Sequence, residues 1–235
     1  MFDKESLEYL VGLGKAEVMS VNGQNYSTRQ LHRVQDPIPA KLITTTLTGL
    51  VDYIKSGIDE KFSNLLVHVV SPEQVDLLSE LRSDVAREIY MTCKAWKPDN
   101  ITFDRFMDTE PFNIMLQSSF VENDDRALLL RVTGNVKEEA IKNVGDDGVS
   151  QGVTVKTGVA SVHEVKVPNP VILAPYRTFP EIKQPESKFI FRMQSGPRAA
   201  LYEADGGAWR NEAMQSIKTY LEEQLNGVEG IQIIS

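Results

Sequence analysis

The sequence predicts an α+β protein: an N-terminal helix, hairpin and β-α-β portion, a helical middle, and a β-rich C-terminal portion closed by an amphipathic helix. Three observations carry this expectation. Apolar residues recur at three- and four-residue spacing near the start, across about 102–143 and from Trp209 to Leu225. They alternate with polar ones over Glu88 to Trp96 and in short runs from Val153 to Tyr202. Six of the eleven prolines fall between Pro168 and Pro197, a density that suits edge strands and turns.

In chain order, residues 3–16 read as a helix capped by Ser6 or Asp3, with Leu7, Leu10 and Val11 on one side and Gly12 and Gly14 ending it. Glu17 to Val21 and Gln24 to Thr28 flank Asn22-Gly23, a pair with easy access to positive φ, and so predict a hairpin. After Pro37 and Pro39, a helix is expected from Leu47 to Lys55, closed by Gly57. Leu65 to Val70 reads as a buried strand. Ser71-Pro72-Glu73-Gln74 resembles a capped helix start with proline in first position, which predicts a short helix to Leu81 and, with the strand at Glu88 to Trp96, a β-α-β unit. Thr102 to Phe120 has a helical pattern in which Pro111 separates two helices. Asp124-Asp125 caps another helix to about Asn143, with Thr133-Gly134-Asn135 as its point of interruption, and Asp146-Asp147-Gly148 forms a turn. Short strands follow at Val153/Val155, Val162, Val165/Val167, Val171/Leu173, Phe179, Phe189/Phe191/Met193 and Ala200/Tyr202. A helix over Trp209 to Leu225 and a strand at Ile231 to Ile234 complete the chain.

The 235 residues include 25 Lys+Arg and 33 Asp+Glu, a net charge of −8, with 41% hydrophobic and 25% charged residues. Such a composition excludes collagen, coiled-coil rod and wholly disordered classes. The single cysteine, Cys93, excludes an intrachain disulfide framework. Apolar runs such as Leu65 to Val70 are too short to cross a bilayer, and the charged start Met1-Phe2-Asp3-Lys4 lacks the pattern of a signal peptide. The expectation is a cytoplasmic protein with no membrane partner. Residues 1–147 carry the whole charge deficit, whereas residues 151–218 hold 9 basic against 6 acidic side chains. That excess is too small for duplex DNA but suits an anionic ligand or a single strand. The expected division is 1–100 (α+β), 101–145 (helical) and 146–235 (β-rich with the terminal helix), or one compact domain containing all three.

No catalytic constellation stands out. His32, His68 and His163 lie far apart in sequence without metal-ligand spacing, so no metal or cofactor is expected. His68 reads as a buried strand histidine and Cys93 as an inert core thiol. Gly12-Leu13-Gly14-Lys15 lacks the first glycine and the Ser/Thr of a phosphate loop. Asp104 and Asp108, four apart, would share a helix face and with Glu110 could hold a divalent ion, with a solvated acidic face as the simpler reading. Glu164-Val165-Lys166 and Glu181-Ile182-Lys183 match the end of a nuclease acidic-x-Lys element, but Pro98-Asp99 is too distant to complete it.

The stretch from Val167 to Pro185 is the most distinctive. Its prolines make it rigid and extended, and Tyr176, Arg177, Phe179, Lys183, Lys188, Phe191 and Arg192 interleave rings with cations. Such a pattern can stack a base and neutralise phosphate, or fill a β core with aromatics. Asp205-Gly206-Gly207-Ala208-Trp209-Arg210 offers backbone N–H groups at a helix start to an anion, or forms a tight turn around a packed Trp. The candidate ligand-binding residues are therefore Tyr176, Arg177, Phe179, Lys183, Lys188, Arg192, Trp209 and Arg210.

The strings Asp146 to Gly158, Pro168-Asn169-Pro170-Val171, Tyr176-Arg177-Thr178-Phe179, Gln184-Pro185-Glu186-Ser187-Lys188-Phe189 and Arg105-Phe106-Met107-Asp108-Thr109-Glu110 resemble a family of uncharacterised bacteriophage and prophage proteins. The resemblance covers most of the chain and implies a viral protein expressed in the bacterial cytoplasm, without a catalytic motif to carry over. The expected function is a non-enzymatic, homo-oligomeric binding protein that counteracts host defence by sequestering a nucleotide-like signal. The alternative is an accessory single-strand-binding protein of phage DNA replication or recombination, with metal-dependent hydrolysis through Asp104 and Asp108 as a minor third.

Overall fold

A computed structural model of the chain describes residues 3–21, 24–28, 40–59, 64–82, 85–135, 145–146, 151–157, 161–194 and 196–235. The chain divides into two compact units, Met1–Ala40 and Lys41–Ser235, so the boundaries expected at 100 and 145 fall inside the second. In the first unit, helix α1 (Lys4–Leu13) starts at Asp3, whose carboxylate accepts the Ser6 N–H at 2.7 Å, and ends at Gly14. Strands β1 (Val18–Val21) and β2 (Gln24–Ser27) pair antiparallel with Val21 opposite Gln24. This is the expected hairpin; Asn22 and Gly23 lie outside the described residues. None of the α1 side chains is buried.

The second unit begins with β3 (Leu42–Thr44) and α2 (Leu47–Ser56). Thr46 caps the helix by accepting the Gly49 N–H at 3.2 Å, and Gly57, at φ +60°, ends it in the left-handed region that disfavours any Cβ. Next come β4 (Leu65–Ser71), β5 (Gln74–Ser79), β6 (Ile89–Lys94), β7 (Met107–Asp108), α3 (Thr109–Ser119) and α4 (Asp124–Gly134). The C-terminal part contains β8 (Gly145–Asp146), β9 (Gln151–Thr157), β10 (Ser161–Val167), β11 (Val171–Leu173), β12 (Ser187–Gln194), β13 (Arg198–Glu203), α5 (Ala208–Gln224) and β14 (Ile231–Ile234). The architecture is α+β, with the N-terminal helix, the hairpin and the C-terminal helix where the sequence predicts them.

Two larger sheets organise this unit. The first has the order β14-β4-β5-β6-β3: β4, β5 and β6 form an antiparallel meander, while β14 runs parallel to β4 and β3 parallel to β6. Helices α2 and α5 fill one face, burying Leu50, Val67, Val75, Leu77, Ile217 and Leu221. The second sheet, β11-β12-β13-β7, is antiparallel and buries Phe189, Phe191 and Leu201 against Phe112, Leu116 and Leu129 of α3 and α4. A third, β10-β9-β8, leads into β11 through Val167.

Several elements differ from expectation. Ser71–Gln74 is a hairpin turn and not a helix start: Ser71 Oγ accepts the Glu73 N–H at 3.2 Å, and Val69 faces Val75 across the turn. The alternate side chains Val75 and Leu77 enter the core under α2 and α5, which outweighs the proline signal, since Pro72 serves a turn as well as a helix N-terminus. The β-α-β unit exists one step earlier, as β3-α2-β4, whose strands point the same way within one sheet. Thr102 to Phe120 holds one helix; Asp104 sits at φ +59° and Met107–Asp108 is a strand. Pro111 falls in the first turn of α3, where its missing N–H has no intrahelical partner to lose. Helix α4 stops at Gly134-Asn135, with Asn123 accepting the Arg126 N–H at 2.8 Å at its start, and residues 136–144 lie outside the described residues. Asp146 belongs to β8, the rest of the expected turn falls outside the described residues, and Phe179 sits in a loop.

Cys93 is fully buried in the core under α2 and α5, and burial, followed by the charges of Asp76 and Glu181, pushes its thiol up to about 12. The native protein should therefore resist a thiol-labelling reagent near neutral pH and take up one label per chain only on unfolding. Rapid native labelling, read by mass spectrometry, would contradict this burial.

Candidate functional site

The distinctive stretch forms a strap over residues 174–186 that joins the two sheets. On one side the Val121 N–H donates to Ala174 O, and the Tyr176 N–H to Ser119 O, each at 2.9 Å. On the other, Thr178 Oγ1 donates to Pro72 O at 2.5 Å, and Phe179 enters the core beneath α2 and α5 with no exposed surface. Gln184, itself buried, satisfies the strap from within. Its Oε1 accepts the Arg177 and Thr178 N–H groups at 3.0 and 3.2 Å, and its Nε2 donates to Phe179 O at 3.1 Å. Backbone groups placed away from water need such partners. Glu181 then caps α2 from outside, its Oε1 accepting the Thr48 N–H at 2.9 Å and Oγ1–H at 3.1 Å, where a carboxylate complements the positive end of the helix.

Arg177 is 5% exposed. Its guanidinium donates to Glu203 Oε1 at 2.7 Å and to Ser187 Oγ, and lies 3.8 Å from the centroid of the Trp209 ring. Desolvation lowers its pKa to about 10 against the support of Glu203 and Asp205, so it stays cationic at neutral pH. Ser187 passes the contact on by donating to Asp205 Oδ2 at 2.7 Å. Asp205 accepts the N–H groups of Gly207 at 2.9 Å and Trp209 at 3.4 Å, so the start of α5 already holds an internal anion. Burial raises the Asp205 pKa, but hydrogen bonds from Ser187, Gly207 and Trp209 and the charge of Arg177 outweigh it and leave the carboxyl below its ordinary value. Among the described residues Arg177 Nε and Trp209 Nε1 are buried without hydrogen-bond partners, as in a guanidinium stacked on an indole.

The eight sequence candidates therefore separate into different places. Phe179, Arg177 and Trp209 are interior, with their contacts made inside the fold; this corrects the expectation that they present rings and a cation to a ligand. Arg210 is exposed, its guanidinium 5.2 Å from the Trp209 ring centroid. Tyr176 and Lys183 line a cavity of about 330 Å³ between the strap and the start of α4, together with Asn123, Pro180 and Glu186, and Lys183 Nζ sits 3.4 Å from Glu186. Lys188 and Arg192 lie on β12, away from the others.

On β12, Ser187, Phe189, Phe191 and Met193 point inward and Lys188, Ile190, Arg192 and Gln194 outward. Register places Tyr202 opposite Ile190, Arg198 opposite Gln194 and Ile172 opposite Lys188. The Phe106 ring meets Tyr202 edge-on, centroids 6.4 Å apart and planes at 74°. The outward face of this sheet thus gathers three cations and two half-buried rings, none of them in either core. Among the described residues Lys188 and Arg192 have no carboxylate within ion-pair distance, while Arg198 Nε lies 3.5 Å from Asp108. Phe106, Arg198 and Tyr202 are not among the sequence candidates; the alternation of β12 and its pairing with β13 place Tyr202 on this face.

The same sheet explains the prolines. β11 is an edge strand, as expected, and its outer backbone is closed by the start of α4: Asp125 accepts the Ile172 N–H at 2.6 Å and Asn123 donates to Ile172 O at 2.9 Å. Between Pro168 and Pro170, the Asn169 side chain takes over ladder pairing by accepting the Phe191 N–H at 2.9 Å.

The acidic candidates are dispersed. Asp104 lies in a loop and Asp108 at the N-cap of α3, so they share no helix face, and Glu181 is committed to α2. Among the described residues no group of three His, Cys, Asp or Glu side chains could hold a metal ion. His32 and the side chains of His163, Glu164 and Lys166 lie outside the described residues. No helix there is long and apolar enough to cross a membrane. No family model, curated protein or solved structure matches this chain.

Two stability predictions follow from the strap. Arg177→Ala should destabilise the protein by about 3 kcal/mol in denaturant unfolding, because Glu203 and the Trp209 ring lose a buried cation, while Arg177→Lys keeps charge but loses the planar fork and should fall between. A change below about 0.5 kcal/mol would contradict the interior role. Because the folded Asp205 pKa is depressed, its contribution is present above the unfolded value of about 4 and lost as pH falls through the lower folded value. Acid should therefore reduce the stability of the wild type more than that of Asp205→Asn.

Proposed function

We propose that this chain is a non-enzymatic binding protein for an anionic, nucleotide-like ligand carried on the outward face of the β11-β12-β13-β7 sheet. The observation that supports the reading is the juxtaposition of Lys188, Arg192 and Arg198 with the Tyr202 and Phe106 rings on one sheet face. Rings at this position stack bases whatever their sequence, and adjacent cations neutralise phosphate. Lys188 and Arg192 are separated by four residues, about 13 Å along a strand, which favours a ligand with more than one phosphate, a cyclic oligonucleotide or a short single strand. The cavity beside Tyr176 and Lys183 is a lesser candidate, because Glu186 already neutralises Lys183. The resemblance to phage and prophage proteins supplies the proposed setting, the cytoplasm of an infected bacterium, where a homo-oligomeric protein of this kind would sequester a signal and so counteract host defence.

The test is a titration of the full chain with labelled cyclic oligonucleotides and labelled single-stranded DNA at physiological salt. Capture of the cyclic ligand, recovered intact after denaturation, supports sequestration; salt-sensitive capture of the single strand alone would replace it with the strand-binding alternative. In either case Lys188→Ala/Arg192→Ala should weaken binding at least tenfold with its unfolding midpoint unchanged, and Tyr202→Ala about 5- to 150-fold, the range of one base–ring stack. Wild-type affinity in both variants would refute the placement.

A further inference from the structure

A cleft of about 510 Å³ lies beside β7, the edge strand of the cationic sheet, and shares Phe106 and Arg198 with its outward face. Its volume is that of small-molecule sites. Pro111 and Ile114 of α3 add apolar lining, and Ile114 is 55% exposed; Arg105 and Asp108 add charge. Backbone pairing holds these walls in place. The Asp104 N–H donates to Leu201 O at 2.8 Å and the Thr109 N–H to Pro197 O at 3.1 Å, which ties the 104–109 segment to β13 and the turn before it. Arg198 is fixed in turn by donating from its guanidinium to Phe106 O at 2.9 Å. Asp108 is the member that a phosphate site alone does not explain. Register pairs it with Arg198, so both side chains leave the same face of the sheet, and Asp108 Oδ1 lies 3.5 Å from Arg198 Nε. Although Asp108 stands at the N-cap of α3, its side chain accepts no N–H of that helix and is 77% exposed. It is thus spared the local tasks that occupy Asp125, Glu181 and Asp205. A carboxylate among cations repels phosphate and favours a ligand group that donates, to which it offers two acceptor oxygens side by side.

We propose that this cleft is the base-reading subsite of the ligand face and that Asp108 makes it select guanine. The inference rests on the ligand reading above and names the base that this reading leaves open. Among the common bases only guanine carries two adjacent N–H donors on one edge, N1–H and N2–H, which match the two oxygens of one carboxylate. Adenine and cytosine place a single N–H donor group beside a ring-nitrogen acceptor, and uracil places its N–H between two carbonyls. Each of these would turn a lone pair toward a carboxylate oxygen. Bases splayed out of a stack are read along this edge while their faces pack on rings and guanidinium planes. Phe106, Pro111 and Ile114 supply such packing surface, and Arg105 and Arg198 supply charge for the attached phosphate.

The test titrates the full chain with labelled cyclic dinucleotides and short single strands, each made with guanine, adenine or hypoxanthine at matched positions. The guanine form should bind about 5- to 150-fold tighter than the adenine form, the discrimination of one bidentate pair. Hypoxanthine keeps N1–H and lacks the N2 amine, so its form should fall between. Asp108→Asn replaces one acceptor by a donor, as adenine requires, and should abolish or invert the order; the fold is kept, because Asn and Asp serve an N-cap equally well. Lys188→Ala/Arg192→Ala should weaken all forms by the same factor and leave their ratio intact. Equal binding of the guanine and adenine forms, with Lys188 and Arg192 still required, would overturn base reading and leave the ligand face standing. An equal change of both forms in Asp108→Asn would also overturn it, since a carboxylate acting by charge alone moves affinity and not the ratio. Capture of neither ligand class would remove the ligand face and this inference with it.

Discussion

The second unit depends on one buried side chain. Gln184 holds the strap by meeting the backbone of Arg177, Thr178 and Phe179 at once, and so allows an irregular segment to run through the interior between two sheets. Loops normally stay at the surface because their peptide groups need water. Here one amide substitutes for it. With the strap fixed, Phe179 can fill the core under α2 and α5 while Arg177 reaches back to Glu203, Ser187 and Trp209 at the other end. The aromatic and cationic residues that look like a ligand-gripping surface in the sequence are the fastening between two hydrophobic cores.

That fastening leaves each sheet with a helix-covered face and an outward face, and the two outward faces differ in chemistry. The face of β12 and β13 is cationic and aromatic, whereas the outward face of β4, β5 and β6 mixes Leu66 and Leu78 with His68, Gln74, Asp76 and Lys94. A charged ligand requires exposed cations, so the capture we propose belongs to the first of these faces. The internal anion at the start of α5, Asp205, leaves that helix terminus to serve stability instead of recognition.

Much of the fold was legible in the sequence wherever local signals agreed. Asp3 and Gly57 mark helix ends, Asn22-Gly23 lies between the two strands of a hairpin, and the apolar face of α5 follows the helical period. The errors arise where one residue serves two structures. Pro72 fits a turn or a helix start, and only the alternation at Val75 and Leu77 decides between them. Pro111 fits a helix break or a first turn, and the left-handed backbone of Asp104 favours the second. For the site, Lys188 and Arg192 were readable because a strand exposes every second residue. Phe106 and Tyr202 were not, because their contact with that face is set by pairing between distant segments. Arg177 misleads because composition records a cation and cannot record Ser187, Glu203 and Trp209 around it.

The central claim, that the strap is internal scaffold and the outward face of β12 and β13 meets the ligand, is tested most directly by hydrogen exchange of the whole chain with and without a bound labelled oligonucleotide. The account predicts slow exchange of Arg177, Thr178 and Tyr176 amides in both states, with new protection on ligand binding confined to residues 105–108, 188–192 and 198–202. Rapid exchange across 176–184 in the free protein, slowed only when ligand is added, would show that the strap is the binding element and would contradict the account.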